Sequence, residues 1–142
     1  MNHLRFDPTL GEWVAYATHR QDWTFLPPAE YCPLCPAKPG GFPTEVPRER
    51  YGIAVFENKF LAFAPNPGEI PAASNGFHKI APGRGVCEVA LYSDDHDSTL
   101  ASMSDWHIRN LIAVWADRYE EVGSREEVEH CSSSKTRARP SG

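Results

Sequence analysis

A chain of 142 residues is 41% hydrophobic and 11% aromatic, long enough for about one domain with a buried core. Fourteen Lys and Arg against nineteen Asp and Glu leave a net charge of -5, which excludes the electrostatic footprint of a nucleic-acid binder; a phosphate ligand held by a few placed groups stays open. No apolar run is long enough to span a bilayer, and Met1 to Asp7 has neither a signal-peptide core nor a transit-peptide bias, so a cytoplasmic protein without membrane contact is expected.

The 13 prolines and 10 glycines imply much loop. Leu4 to Ala17 reads as two short strands about the turn Asp7-Pro8-Thr9-Leu10-Gly11, with Trp13, Val14 and Tyr16 in the second. Thr18 to Arg50 is dense in Pro, Gly and charge and holds neither period, which predicts a long ordered loop. Tyr51 to Phe56 is an apolar run of strand length halted at Glu57-Asn58, and Ala64 to Gly83, with Pro65, Pro67, Pro71 and Pro82, reads as another loop. Gly85 to Tyr92 is the clearest strand, rich in β-formers and closed by Ser93-Asp94-Asp95.

Asp105 to Val122 predicts a helix with Ser104 as its N-cap and Gly123 as its stop. Ile108, Leu111, Ile112, Trp115, Tyr119 and Val122 recur at helical spacing and read as a packing face rather than a cofactor box. Cys131 to Gly142 is Ser-rich and basic with almost nothing to bury, so a disordered tail follows residues 1–130.

Chemistry concentrates at a few positions. Cys32-Pro33-Leu34-Cys35 has the spacing of a metal knuckle; zinc, a redox pair and a chance pairing in a Pro-rich loop are all open on spacing alone. A thioredoxin-like reading lacks its following helix, since Pro36, Pro39, Gly40 and Gly41 come next. Cys87 lies in an apolar run, which argues against a disulfide framework. His96 follows the best strand; alone it reads as a solvent-facing loop histidine, and it gains weight as a ligand only beside the knuckle. Asn58 is placed either to bind a ligand hydroxyl, with Phe56 offering a stacking face, or simply to end a strand in a turn. Arg20 is a single candidate for a phosphate. There is no Gly-rich phosphate cradle.

Several segments together resemble one family. Arg5-Phe6-Asp7-Pro8, Gly11-Glu12-Trp13-Val14, Thr18-His19-Arg20, Cys32-Pro33-Leu34-Cys35-Pro36, Val55-Phe56-Glu57-Asn58-Lys59-Phe60, and Gly85 to Val89 through Asp95-His96 and Thr99-Leu100 resemble, in order, the N-terminal half of the galactose-1-phosphate uridylyltransferases. The resemblance implies the histidine-triad superfamily and an α+β fold, an antiparallel sheet with a packed helix, here as an incomplete domain. It implies exchange of UMP between UDP-glucose and galactose 1-phosphate through a uridylylated histidine in a His-Pro-His motif, which is covalent catalysis. It implies that Cys32, Cys35 and His96 are three of four structural zinc ligands, that Arg20 meets the substrate phosphates, and that Phe56, Asn58 and Lys59 bind the nucleotide.

Two departures stand out. The family usually has a second basic residue three positions after the first arginine, and this chain has Trp23 there. No His-Pro-His occurs in these 142 residues, so no catalytic residue is assigned, and the change of character after Glu129 reads as a truncation or an out-of-frame tail. The expectation is an N-terminal portion inactive alone, paired with a complementary C-terminal chain or as a homodimer; the alternative is a non-catalytic zinc-stabilised nucleotide-binding or interaction module.

Overall fold

The computed structural model describes residues 2–17, 27–70 and 77–134. Five strands and one long helix are present among them: β1 (Asn2–Asp7), β2 (Glu12–Ala17), β3 (Ala54–Glu57), β4 (Ile80–Pro82), β5 (Glu88–Leu91) and α1 (Asp105–Gly123), with short 3-10 turns at Ala29–Tyr31 and Leu100–Ser102. The strands form a three-stranded sheet in the order β2-β1-β4 and a two-stranded sheet of β3 and β5. The architecture is α+β, as expected. The chain divides into two compact units, one made of Met1–Asp22, Glu57–Glu88 and Arg125–Glu129, the other of Trp23–Phe56, Val89–Ser124 and His130–Gly142.

In the first unit the expected hairpin forms, with Asp7 opposite Glu12 and Asn2 opposite Ala17. Its turn is built by one side chain: Asp7 Oδ1 accepts from the backbone N–H of Thr9 and Leu10 while the Asp7 carbonyl accepts from Gly11. Gly11 has φ 71, the left-handed conformation that the return of the chain requires. Aromatic contacts then pin the register across the two strands. Phe6 meets Trp13 edge-on at 5.4 Å, His3 stacks on Tyr16 at 5.7 Å, and the Arg5 guanidinium lies 4.5 Å from the Tyr16 ring centroid. His3 is buried, and its Nε2 accepts from Arg5 Nε.

The loop expected from Ala64 to Gly83 is in part a strand. β4 pairs antiparallel with β1, Leu4 opposite Ala81, and Ala64 bridges to Arg84. Three residues ending in Pro82 carry no readable strand period, and the pairing is imposed by the β1 ladder. Gly83 fits closely there: a Cβ on it would stand 3.1 Å from the carbonyl carbon of Asn2, whose oxygen accepts the Gly83 N–H, so a larger residue would press on the β1 backbone. The strands expected at Tyr51 to Phe56 and Gly85 to Tyr92 are shorter or shifted, at β3 and β5.

In the second unit α1 runs one residue beyond its expected end. Ser104 caps it, its side chain accepting from the His107 backbone N–H at 3.3 Å. Ser104→Ala is expected to cost about 1 kcal/mol of stability in a urea titration, since one of the orphan N–H groups of the first turn loses its partner.

The expected packing stripe is corrected by the structure. Leu111 and Val122 are buried, whereas Ile112, Trp115 and Tyr119 are exposed. Hydrophobic period alone cannot set the rotational phase of a helix, and here the buried line runs through Leu111. Tyr119 instead donates its hydroxyl to the carbonyl of Cys131 at 2.7 Å. Of the tail expected to be disordered, residues 131–134 are described, without regular structure, and the rest lies outside the described residues.

Candidate metal centre

The knuckle is shaped by backbone bonds before any metal is considered. The Cys35 N–H reaches the Cys32 carbonyl at 3.3 Å, closing the turn that brings both sulfurs to one side. A second segment braces this turn from 44 to 48. Glu45 N–H donates to the Pro33 carbonyl at 2.8 Å, Ala37 N–H points at the carbonyls of Val46 and Arg48, and Pro36 bridges to Val46, itself buried. Tyr51 adds a third support, its hydroxyl donating to the Leu34 carbonyl at 3.2 Å.

His96 arrives from the loop after β5, a tight chain of side-chain and backbone turns. Ser93 Oγ accepts from Asp95 N–H, Asp95 Oδ1 accepts from Asp97 N–H, and the Asp95 carbonyl accepts from Ser98 N–H. An ion pair between Arg50 and Asp94 at 3.4 Å ties this loop to the segment ahead of β3. The result places His96 Nδ1 at 3.2 Å from Cys35 Sγ.

Cys32, Cys35 and His96 thereby form a group whose donor atoms all lie within 4.8 Å of one another. Two sulfurs and one imidazole nitrogen at zinc bond lengths would stand about 3.5 to 3.8 Å apart at the corners of a tetrahedron, so little movement separates this arrangement from coordination. Burial, then the hydrogen bond and charge of Cys32, push the Cys35 thiol up to about 12, and burial followed by the charges of Cys35, Asp94 and Cys32 pushes the Tyr51 phenol up to about 12. A thiol raised in this way keeps its proton near neutral pH, and a dication binding it would have to displace that proton. All four cysteines are free thiols.

The remaining candidates fare differently. Phe56 is half-buried in β3. Asn58 makes the turn that its alternative reading foresaw, its Oδ1 accepting from Phe60 N–H at 2.9 Å while its backbone N–H donates to the Cys87 carbonyl. Lys59 is exposed beside it. Arg20 and Trp23 lie outside the described residues. The braces contributed by Tyr51, Asp94 and the 44–48 segment were not readable from spacing, because each acts through a backbone carbonyl or an ion pair made across the fold.

The class this defines is an α+β arrangement of short sheets and one helix, with a Cys-Cys-His group on a knuckle and a post-strand loop that could hold a metal ion. The chain belongs to the galactose-1-phosphate uridyl transferase family, whose N-terminal domain model matches residues 1–132. It is 31% identical over 130 residues to the galactose-1-phosphate uridylyltransferase of Thermotoga maritima, covering 92% of this chain and 39% of that one. The Streptomyces lividans and rat enzymes of the same name are 31% and 30% identical, covering 90% and 87% of this chain and 30% and 35% of theirs. Among solved structures, a uridylyltransferase superposes with a TM-score of 0.65 at 24% identity, over 85% of this chain and 35% of the other, which supports the fold. The chain thus spans about a third of the length of the relatives it matches.

Proposed function

We propose that this chain is the N-terminal, metal-braced portion of a UDP-glucose–hexose-1-phosphate uridylyltransferase, a transferase of galactose metabolism in the histidine-triad superfamily, with residues 1–130 forming part of its domain. The observation that carries the reading is the match of the N-terminal domain model over residues 1–132. The meeting of Cys32, Cys35 and His96 inside that stretch supports it. Their two sulfurs and one imidazole suit zinc, and zinc bound there supplies a cross-link between the knuckle loop and the post-β5 loop. Phe56, Asn58 and Lys59 are assigned to the nucleotide and Arg20 to its phosphates. UDP-glucose and galactose 1-phosphate are the substrates of the whole enzyme on this reading.

Covalent transfer needs a nucleophilic imidazole in the right place. The six histidines are His3, His19, His78, His96, His107 and His130, and none stands in a His-Pro-His run. The 142-residue polypeptide is therefore expected to bind UDP-glucose without transferring UMP, and to regain transfer when mixed with a segment that carries the motif. Titration calorimetry with UDP-glucose, and intact-mass analysis for an added uridylyl group, check both halves. A uridylylated 142-residue protein, or the lack of any saturable UDP-glucose binding, would overturn the reading. Asn58→Ala is expected to weaken the binding by roughly tenfold, the equivalent of about one good hydrogen bond to ligand, with its helix content unchanged.

A further inference from the structure

One peptide unit of the knuckle is gripped at both of its polar groups. The Leu34–Cys35 peptide is planar, so its carbonyl and its N–H turn as one body. The Cys35 N–H donates to the Cys32 carbonyl at 3.3 Å, and the Leu34 carbonyl accepts from the Tyr51 hydroxyl at 3.2 Å. On the other side of Cys35, Pro36 bridges to Val46 and the Ala37 N–H points at the carbonyls of Val46 and Arg48. The backbone of Cys35 is therefore held before and behind, and its Sγ comes to 3.2 Å from His96 Nδ1.

The grip of Tyr51 has a different origin from the others. Those bonds are made within residues 32–48. Tyr51 stands just ahead of β3, and β3 pairs with β5, the strand that leads into the His96 loop. Tyr51 thus ties the peptide that carries Cys35 to the sheet that carries His96. We propose, resting on the assignment of zinc to Cys32, Cys35 and His96, that Tyr51 is a positioning residue for this centre. Its hydroxyl holds the Leu34–Cys35 peptide in the orientation that presents the Cys35 thiol beside His96, and so sets the affinity for the metal.

Arg50, next to Tyr51, makes a second tie to the same loop through Asp94 at 3.4 Å, but its side chain is 89% exposed. Water screens such a pair, and its worth is small. The Tyr51 hydroxyl, on a partly buried residue, bonds the peptide of a ligand directly. Hydrogen bonds just outside the ligands typically govern metal affinity by about 10- to 100-fold, because they assemble the ligands before the metal arrives. Leu34 is 40% exposed, so water can take over its carbonyl once the hydroxyl is gone, and the effect expected here lies at the lower end, about tenfold.

The test is competition for zinc against a chromophoric chelator, with the full 142-residue chain and its variants. Tyr51→Phe keeps the ring and removes only the hydroxyl, and it is expected to raise the zinc Kd about tenfold. Arg50→Ala is expected to leave the Kd within about twofold of wild type. Ser104→Ala weakens the cap of α1 without touching a ligand, and it is expected to stay within about twofold as well, which separates positioning from general loss of stability. Co(II) at saturation is expected to give the same absorption bands in the wild-type and Tyr51→Phe chains, since the ligands themselves are unchanged. A Tyr51→Phe Kd within about threefold of wild type overturns the proposal. So does an equal rise in Ser104→Ala, or a change in the Co(II) bands, since either places the effect elsewhere than in positioning. A wild-type chain that takes up no zinc overturns the zinc assignment and this proposal with it. A wild-type chain that binds zinc and is indifferent to Tyr51→Phe overturns this proposal alone.

Discussion

Replacing Cys32, Cys35 or His96 by Ser, Ser or Ala is expected to abolish zinc retention and to lower the melting temperature of the protein sharply, with Cys131→Ser retaining both. Cys32 and Val46 are the buried apolar side chains described in the knuckle loop, and its braces are single hydrogen bonds, from the backbone and from the Tyr51 hydroxyl. A metal bridging the loop to His96 would then supply a large share of the folding free energy. Structural zinc contributes on the order of 10 kcal/mol in small Cys-His sites at neutral pH, against a total stability of about 5 to 15 kcal/mol for a domain. Metal analysis by plasma emission and thermal melts with and without a chelator measure the two effects. An unchanged melt after chelation would remove the metal from the account. Thiols must lose protons to bind a dication, and Cys35 stands at about 12 without one, so zinc affinity is expected to rise with pH and to fall as acid competes for the sulfurs.

Leu111→Ala is expected to cost about 2 to 5 kcal/mol, the range for emptying a fully buried aliphatic site. Leu111 is 1% exposed and is the most completely buried large side chain described. The neighbouring Ile112, at 55% exposure, belongs to the opposite outcome: Ile112→Ala is expected to change stability by no more than about 0.5 kcal/mol. Urea unfolding followed by far-UV circular dichroism compares the pair. Equal costs at the two positions would mean that the helix buries a different line from the one seen here.

The two helix positions also show how far a sequence can be read. Periodicity established that residues 105–122 are helical and apolar on one side, since local spacing sets that. It could not separate Leu111 from Ile112, because both belong to the same broad stripe and what covers each is decided by other segments. Ser104 was legible as a cap for the opposite reason: its partner is three residues away. The hairpin behaves likewise, its turn written in Asp7 and Gly11. β4 was hidden, because Ile80–Pro82 is a strand by virtue of β1, more than seventy positions earlier in the chain, and Pro82 argues locally for a loop.

At the candidate centre, the pair Cys32 and Cys35 is a local pattern and was readable as a metal knuckle among other possibilities. His96 is sixty-one positions from Cys35, and composition gives no reason to join them; the family resemblance joined them, and the fold brings the Nδ1 and Sγ atoms to 3.2 Å. The sequence by itself therefore determined what short-range chemistry controls: the hairpin turn, the helix and its cap, the knuckle, and through its ordered motifs the family. Tertiary structure alone decided what depends on contacts between distant segments: the third strand of the sheet, the buried line of the helix, and the braces from Tyr51 and the 44–48 segment. The division follows from loop-closure entropy, since a contact between remote residues forms only when the rest of the fold has already limited where those residues can be.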